Sequence, residues 1–282
     1  MAYELIDGLF QTKALRIAPE DKPFWYTSGK LGPFYVNTHF LYGSEEKAVH
    51  LLEVIDAKKD DADELHAALE AEITANYEND AIFHGLIDQM VAYVKENMDV
   101  DAIDYISGGE RRDWFFSLPL AKLLGKKHIT IFKDLSMVIY ENGVVTPMEV
   151  IPGAKVLHVA DLITVASSYE RAWVPAIAGI GGTITDSLVV VDRMQGGGEL
   201  LASLGVKSHA LCQIDFELFV KAQSLGYINQ AQCDIVKEYV KDPDATMKKF
   251  VDTHPEFMEA ALNGDPKTAA RAQLCLEKGF YR

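Results

Sequence analysis

Cysteine is scarce in this 282-residue sequence, and Cys212, Cys233 and Cys275 are widely separated. They form neither a Cys-x-x-Cys metal pattern nor an even disulfide set, so they read as reduced, mostly buried thiols of a cytoplasmic protein. Positive charge is also short. Lys and Arg number 27 against 42 Asp and Glu, a formal net charge of -15, which argues against a sequence-independent electrostatic grip on nucleic acid or anionic lipid. An anionic small ligand stays compatible wherever basic residues are concentrated. No stretch approaches about 18 uninterrupted apolar residues, and the N-terminus lacks a basic start followed by an apolar run, so neither export nor a membrane span is expected. Apolar residues are plentiful. At 49% hydrophobic content the chain can bury a substantial core.

Periodicity predicts a short amphipathic helix over 3–15, then loop, glycine-proline turn and strand in "FWYTSGKLGPFYVN". From Ser44 to Met98 the pattern is helical, with Asp80 as a cap and Phe83, Ile87, Met90 and Val94 on one face. From about 101 short apolar strands alternate with helical segments, which predicts a mainly parallel sheet covered on both faces. Ligands of such sheets bind outside the carboxyl ends of the strands. After Gln213 several short helices are expected, with Pro243, Pro255 and Pro266 at breaks or starts. The fold class is therefore α/β, with an inserted helical segment and a helical tail. The predicted domains are 1–212, carrying the insertion at 44–98, and an extension over 213–282 packed on it.

Three strand ends carry candidate chemistry. "VLHVADLITVASSYERAW" places Asp161, Thr164, Ser167 and Ser168 between a strand and a helix, where hydroxyls and amides can meet a phosphate. The same residues also fit an ordinary turn in which Ser167 or Ser168 caps the helix. "ISGGERRDWFFSLPLA" offers Gly108 and Gly109 for close backbone approach, and Arg111 and Arg112 to grip phosphate oxygens. A self-neutralised solvated turn is the competing reading of "ERRD". Asp192 and Arg193 stand at a third strand end before "MQGGG", while "GIGGTIT" reads as a helix stop.

Taken in order, with "YTSGKLGPFYVN" before them, these segments resemble a type I phosphoribosyltransferase, nearest to the orotate phosphoribosyltransferases. The resemblance rests on Ser28, Gly29, Lys30, Pro33, Tyr35 and Asn37; on Gly108 and Gly109; on Asp161, Ile163, Thr164, Ser167 and Ser168; and on Asp192, Arg193, Gly196, Gly197, Gly205 and Val206. It covers roughly 20–43 and 101–212. It implies transfer of a phosphoribosyl group from phosphoribosyl pyrophosphate to orotate or a related base, by a homodimer, with Mg²⁺ held through substrate and water and no direct protein ligand. On that basis Ser167, Ser168 and Thr164 hold the 5-phosphate and Asp161 the ribose hydroxyls. Arg111 and Arg112 face the pyrophosphate, Lys133 survives from a catalytic loop, and Ser28, Gly29, Lys30 and Arg193 face the base.

Departures from the family pattern fall on the same features. Ala160 replaces the first acid of a pair, Val165 and Ala166 replace small permissive residues, and Thr27 stands where a lysine is usual. After Lys133 the chain alternates like a strand hairpin around Asn142-Gly143, with no second Lys or His. Three readings stay open: a variant transferase in which the arginine pair takes over the leaving-group charge, a homologue that binds a nucleotide or phosphoribosyl pyrophosphate without turnover as a sensor or regulatory module, or a structural protein on the same fold.

Overall fold

The computed structural model describes residues 4–281. Helix α1 (Leu5–Gln11) is shorter than the helix expected over 3–15, whose residue 3 lies outside the described residues. It stops because Thr12 donates its hydroxyl back to the Gly8 carbonyl at 2.7 Å, and Lys13 turns the chain at φ 60. Strands β1 (Leu15–Ile17), β2 (Phe24–Trp25), β3 (Leu31–Gly32) and β4 (Phe34–Val36) follow, pairing antiparallel as β1 with β4 and β2 with β3. The helical stretch resolves into α2 (Glu45–Lys58), α3 (Ala62–Asn79) and α4 (Ala81–Asn97). Each starts on a side chain that accepts backbone N–H groups: Ser44 from Lys47, Asp61 from Glu64, and Asp80 from Ile82 and Phe83.

The alternating part comprises β5 (Tyr105–Gly109), α5 (Trp114–Leu124), β6 (Lys127–Ile131), β7 (Met137–Glu141), β8 (Val144–Pro147), β9 (Lys155–Ile163), α6 (Val174–Gly179), β10 (Thr183–Asp192), α7 (Gly197–Ser203) and β11 (Lys207–Gln213). Its strands form one sheet in the order β11-β10-β9-β5-β6-β7-β8. The first five are parallel, and β7 and β8 add antiparallel strands at one edge. Asn142 and Gly143, at φ 50 and 84, make the two-residue turn of the expected hairpin, whose ends pair as Glu141 with Val144. Ile106, Ile129, Ile131, Val156, Leu157 and Leu188 are wholly buried, as strands covered on both faces require. Four buried polar side chains form a hydrogen-bonded chain. His66 meets Thr130 at 2.8 Å, Thr130 meets His128 at 2.9 Å, and His128 meets Ser117 at 2.9 Å.

Helices α8 (Phe216–Ser224), α9 (Gln230–Lys241), α10 (Pro243–Thr253), α11 (Pro255–Leu262) and α12 (Pro266–Lys278) complete the chain. The last three begin at the anticipated prolines, whose missing N–H is one a helix start leaves unpaired anyway. The chain divides into two compact units. One runs to Ala14 and resumes over Thr38–Ile214; the other comprises Leu15–Asn37 and the residues from Asp215 on. Thus Leu15–Asn37, expected inside a 1–212 domain, groups with the tail. Aromatic packing explains this: Trp25 stacks on Phe257 at 5.7 Å, and Phe34 packs against Phe219 and Tyr239, each at 5.6 Å.

Candidate functional site

In the first unit, β5 has β6 on one side and β9 on the other, so the strand order reverses between β5 and β9. A crevice at such a reversal, outside the carboxyl ends, is where an open parallel sheet places its ligand. The chain has a cleft of about 410 Å³ there, lined by Glu110 to Asp113 after β5, Ala160 to Tyr169 at the end of β9, and Trp173.

The segment after β9 leaves the sheet at Thr164 and turns through Ala166, which adopts the left-handed conformation at φ 54. That conformation favours glycine, so the expected glycine slot is real and an alanine fills it. A π turn over Tyr169–Trp173 then runs into α6. Ser167 and Ser168 are exposed and Thr164 half-buried. Neither serine caps the helix, as Ser168, at the N-cap, makes no capping bond. Thr164, Ser167 and Ser168 line the cleft, and among the described residues none of their hydroxyls makes a hydrogen bond.

Facing them is "ERRD", in which each residue has a different role. The Glu110–Arg111 peptide is cis. Glu110 accepts the Lys133 backbone N–H at 2.9 Å, which ties the end of β6 to this loop but commits only the Lys133 backbone. Arg111 lines the cleft yet pairs with Asp56 on α2, so the side chain expected to face pyrophosphate is shared with the helical insertion. Arg112 is exposed and has no ion-pair partner among the described residues. Asp113 turns inward and is buried.

Asp113 and Asp161 dominate the electrostatics. Burial, with the Asp161 charge added, holds the Asp113 carboxyl well above the usual carboxylate range. Burial pushes Asp161 up to about 6 against the pull of Arg112. Behind them His158 is wholly buried, pushed down to about 3 and hence neutral, stacked on Trp173 at 5.8 Å and edge-on to Tyr169 at 5.0 Å. His39 is pushed down to about 3 by burial and then by Arg112 and Arg111. The cleft thus joins one unpaired guanidinium, hydroxyl donors and a carboxyl pair that favours keeping a proton.

Because Asp161 has its folded pKa raised, the stability it gives is fully present at low pH and is lost as pH rises through about 6. Asp161→Asn should therefore melt higher than the wild type at pH 8, by a few degrees, and show a much smaller difference at pH 4.5. Equal differences at both pH values in calorimetry would contradict this.

The remaining predicted residues lie elsewhere. Gly108 and Gly109 are inside β5 and do not line the cleft. A Cβ on Gly108 would lie 2.3 Å from Ser117 Oγ, and one on Gly109 would lie 2.4 Å from Trp173 Cζ2, so what approaches closely there is a side chain, not a ligand. Arg193 follows β10, its amide donating to Ile163 at 3.0 Å; Asp192 before it is buried and accepts the Met194 N–H at 2.7 Å. Ser28, Gly29 and Lys30 belong to the second unit, where Gly29 has φ 84 and Lys30 Nζ meets Asp244 at 2.7 Å. Asp113, His158, Trp173 and Asp56 were not anticipated. A histidine in the middle of a strand buried on both faces was the available signal for His158, while Asp113 stood within the "ERRD" stretch, whose competing reading was a self-neutralised solvated turn.

No family model matches the chain. Orotate phosphoribosyltransferase of Saccharolobus solfataricus is 29% identical over 133 residues, 47% of this chain and 64% of that protein. Uridine 5'-monophosphate synthase of Bos taurus is 26% identical over 199 residues, 67% of this chain and 38% of that protein. The matches thus span less than two thirds of either relative. Among solved structures, Leishmania donovani UMP synthase superposes with TM-score 0.56 at 16% identity, over 84% of this chain and 41% of that one. Orotate phosphoribosyltransferase from Francisella tularensis gives 0.54 at 13%, over 84% and 96%, and that from Aeropyrum pernix 0.51 at 19%, over 79% and 99%. The chain has the type I phosphoribosyltransferase fold, and in sequence it is similar to orotate phosphoribosyltransferase and UMP synthase.

Proposed function

We propose that the cleft binds phosphoribosyl pyrophosphate and that the protein transfers the phosphoribosyl group to orotate or a related base. The observation that carries this reading is the set of hydroxyls of Thr164, Ser167 and Ser168 opposite the Arg112 guanidinium, all without a hydrogen-bond or ion-pair partner among the described residues, at the strand-order reversal. In the reaction the bond from the anomeric carbon to pyrophosphate breaks with its electron pair leaving on the pyrophosphate. A nitrogen of the base supplies the pair for the new bond and gives up its proton to solvent. The three hydroxyls orient the 5-phosphate, Asp161 accepts from the ribose hydroxyls, and Arg112 stabilises charge growing on the leaving group.

The site suits a cation that arrives on the substrate. Carboxyls held above their usual range favour added positive charge. Mg²⁺ would thus be held by pyrophosphate oxygens and water, and would neutralise leaving-group charge when bound. The proposal includes a cytoplasmic homodimer, with Ser28, Gly29, Lys30 and Arg193 serving the base. No helix among the described residues is long and apolar enough to cross a membrane.

Binding without turnover is the second reading, favoured by the Arg111–Asp56 pair and by the ordered hairpin after Lys133. Losing transition-state contacts lowers a rate steeply while leaving ground-state affinity. Calorimetric titration with phosphoribosyl pyrophosphate and Mg²⁺, then orotate, with pyrophosphate assayed in the same samples, separates the two. Orotate-dependent release supports transfer, binding without release supports the second reading, and absence of binding defeats both.

A further inference from the structure

Strands β5 and β9 pair over Tyr105 with Val156, Ile106 with Leu157 and Ser107 with His158, and no further. Each then follows its outer neighbour, β5 staying with β6 as far as Gly109 and Ile131, and β9 with β10 as far as Ile163 and Asp192. The sheet therefore splits at the mouth of the cleft, and backbone groups facing the split lose their ladder partners. A buried amide left in that state is costly, so something must accept from it.

Asp113 does so. Its Oδ2 accepts the Gly109 N–H at 3.0 Å and its Oδ1 accepts the Asp161 N–H at 3.1 Å, one from each side of the split. An aspartate at a helix N-cap normally accepts from its own first turn. This one occupies that position in α5 and makes no capping bond, so its carboxylate is spent on the two strands instead. The bridge adjoins the chemistry at both ends, since one leg ends on the amide of Asp161 and the carboxylate belongs to the residue after Arg112.

The groups facing the carboxylate are Asp161 across the split, Arg112 beside it, and His158 and Tyr169 from below. His158 Nε2 lies 3.8 Å from Asp113 Oδ2 and has no hydrogen-bond partner, while Nδ1 meets Ser107 Oγ at 2.9 Å. Ser, His and Asp in line suggest a nucleophile triad. Ser107 and His158 are each 0% exposed, so no substrate atom can reach them, and the imidazole is a wall and not a base.

We propose that Asp113 is a positioning residue, whose carboxylate bridges the diverging ends of β5 and β9 and so fixes Asp161 and Arg112 relative to each other around the bound phosphoribosyl ligand. The role in ligand binding rests on the function proposed above, whereas the bridge itself does not. Asp113→Asn keeps the shape but offers one acceptor and an N–H₂ group where two acceptors are needed.

The test is residue-resolved amide exchange of the ligand-free Asp113→Asn protein, together with its affinity for phosphoribosyl pyrophosphate and Mg²⁺ from pH 5.5 to 8.5. At least one of the Gly109 and Asp161 amides should exchange tenfold faster or more, with Ile106 and Leu157 unchanged. Affinity should fall at least tenfold, and its pH profile should lose the step that the coupled acids give the wild type. Unchanged exchange at both amides, or a uniform loss of protection along β5 and β9, overturns the bridge. Local loss with undiminished affinity overturns the positioning role. A wild type that fails to bind at all defeats the proposed function and that role with it, and amide exchange then reports on the bridge alone.

Discussion

Arg112→Ala is expected to weaken binding of phosphoribosyl pyrophosphate by roughly 10- to 100-fold, the equivalent of one or two charged hydrogen bonds. Arg112 is the lining cation without an ion-pair partner among the described residues, because Arg111 is held by Asp56. Removing it acts twice: the ligand loses a guanidinium, and Asp113 and Asp161 lose the positive charge that draws their pKa values down. The affinity loss should therefore be larger at pH 8, where Asp161, pushed up to about 6, is ionised, than at pH 5.5. Ser167→Ala removes one exposed hydroxyl and should cost only a few-fold, roughly 1 kcal/mol. If titration finds both variants binding like the wild type, the ligand does not occupy this cleft.

Ala160→Asp should destabilise the protein by about 2–4 kcal/mol at pH 7. Sequence similarity alone recommends this change, since it restores the acidic pair of the family motif and should strengthen contacts to ribose or Mg²⁺. The structure adds an opposing effect. Ala160 is 4% exposed and packs in a cluster with Val156, Ile163 and Val189, so a carboxylate there would be desolvated. It would also adjoin two acids already held above their usual range. Thermal melts should show the deficit shrinking toward pH 4.5, where the new carboxyl can protonate, and phosphoribosyl pyrophosphate with Mg²⁺ should restore part of it. A melting temperature equal to the wild type at pH 7 would show that the pocket tolerates the charge.

Much of this architecture was legible from local pattern. Strand–helix alternation after 101, the Asn142-Gly143 turn, the Asp80 cap and the three helix-starting prolines all follow from short-range chemistry, and the sheet with its flanking helices follows from them. The strand-to-helix loop after β9 was legible for the same reason, whereas the family resemblance pointed to a small permissive residue at Ala166 and the left-handed turn there emerged only in the structure. Long-range facts were not. Nothing near Arg111 signals that Asp56, 55 positions earlier, will pair with it, and nothing near Asp113 signals that its partners are on two different strands. Gly108 and Gly109 illustrate the ambiguity of glycine: the same lack of a Cβ that lets a ligand approach also lets Ser117 and Trp173 pack.

The hairpin of β7 and β8 bears on the lifetime of a bound ligand. These strands hydrogen-bond in series onto β6, and sheet residues of that kind exchange and open as part of a cooperative unit, whereas loops that close over ligands come from the low-stability end of a fold. A segment hydrogen-bonded into the sheet has to break its ladder to β6 before it can move as a flap. On the function proposed above, residence in the cleft would then be set by the strength of the ligand's own contacts, those to Arg112 and the three hydroxyls foremost, and a gain in affinity there would lengthen occupancy directly.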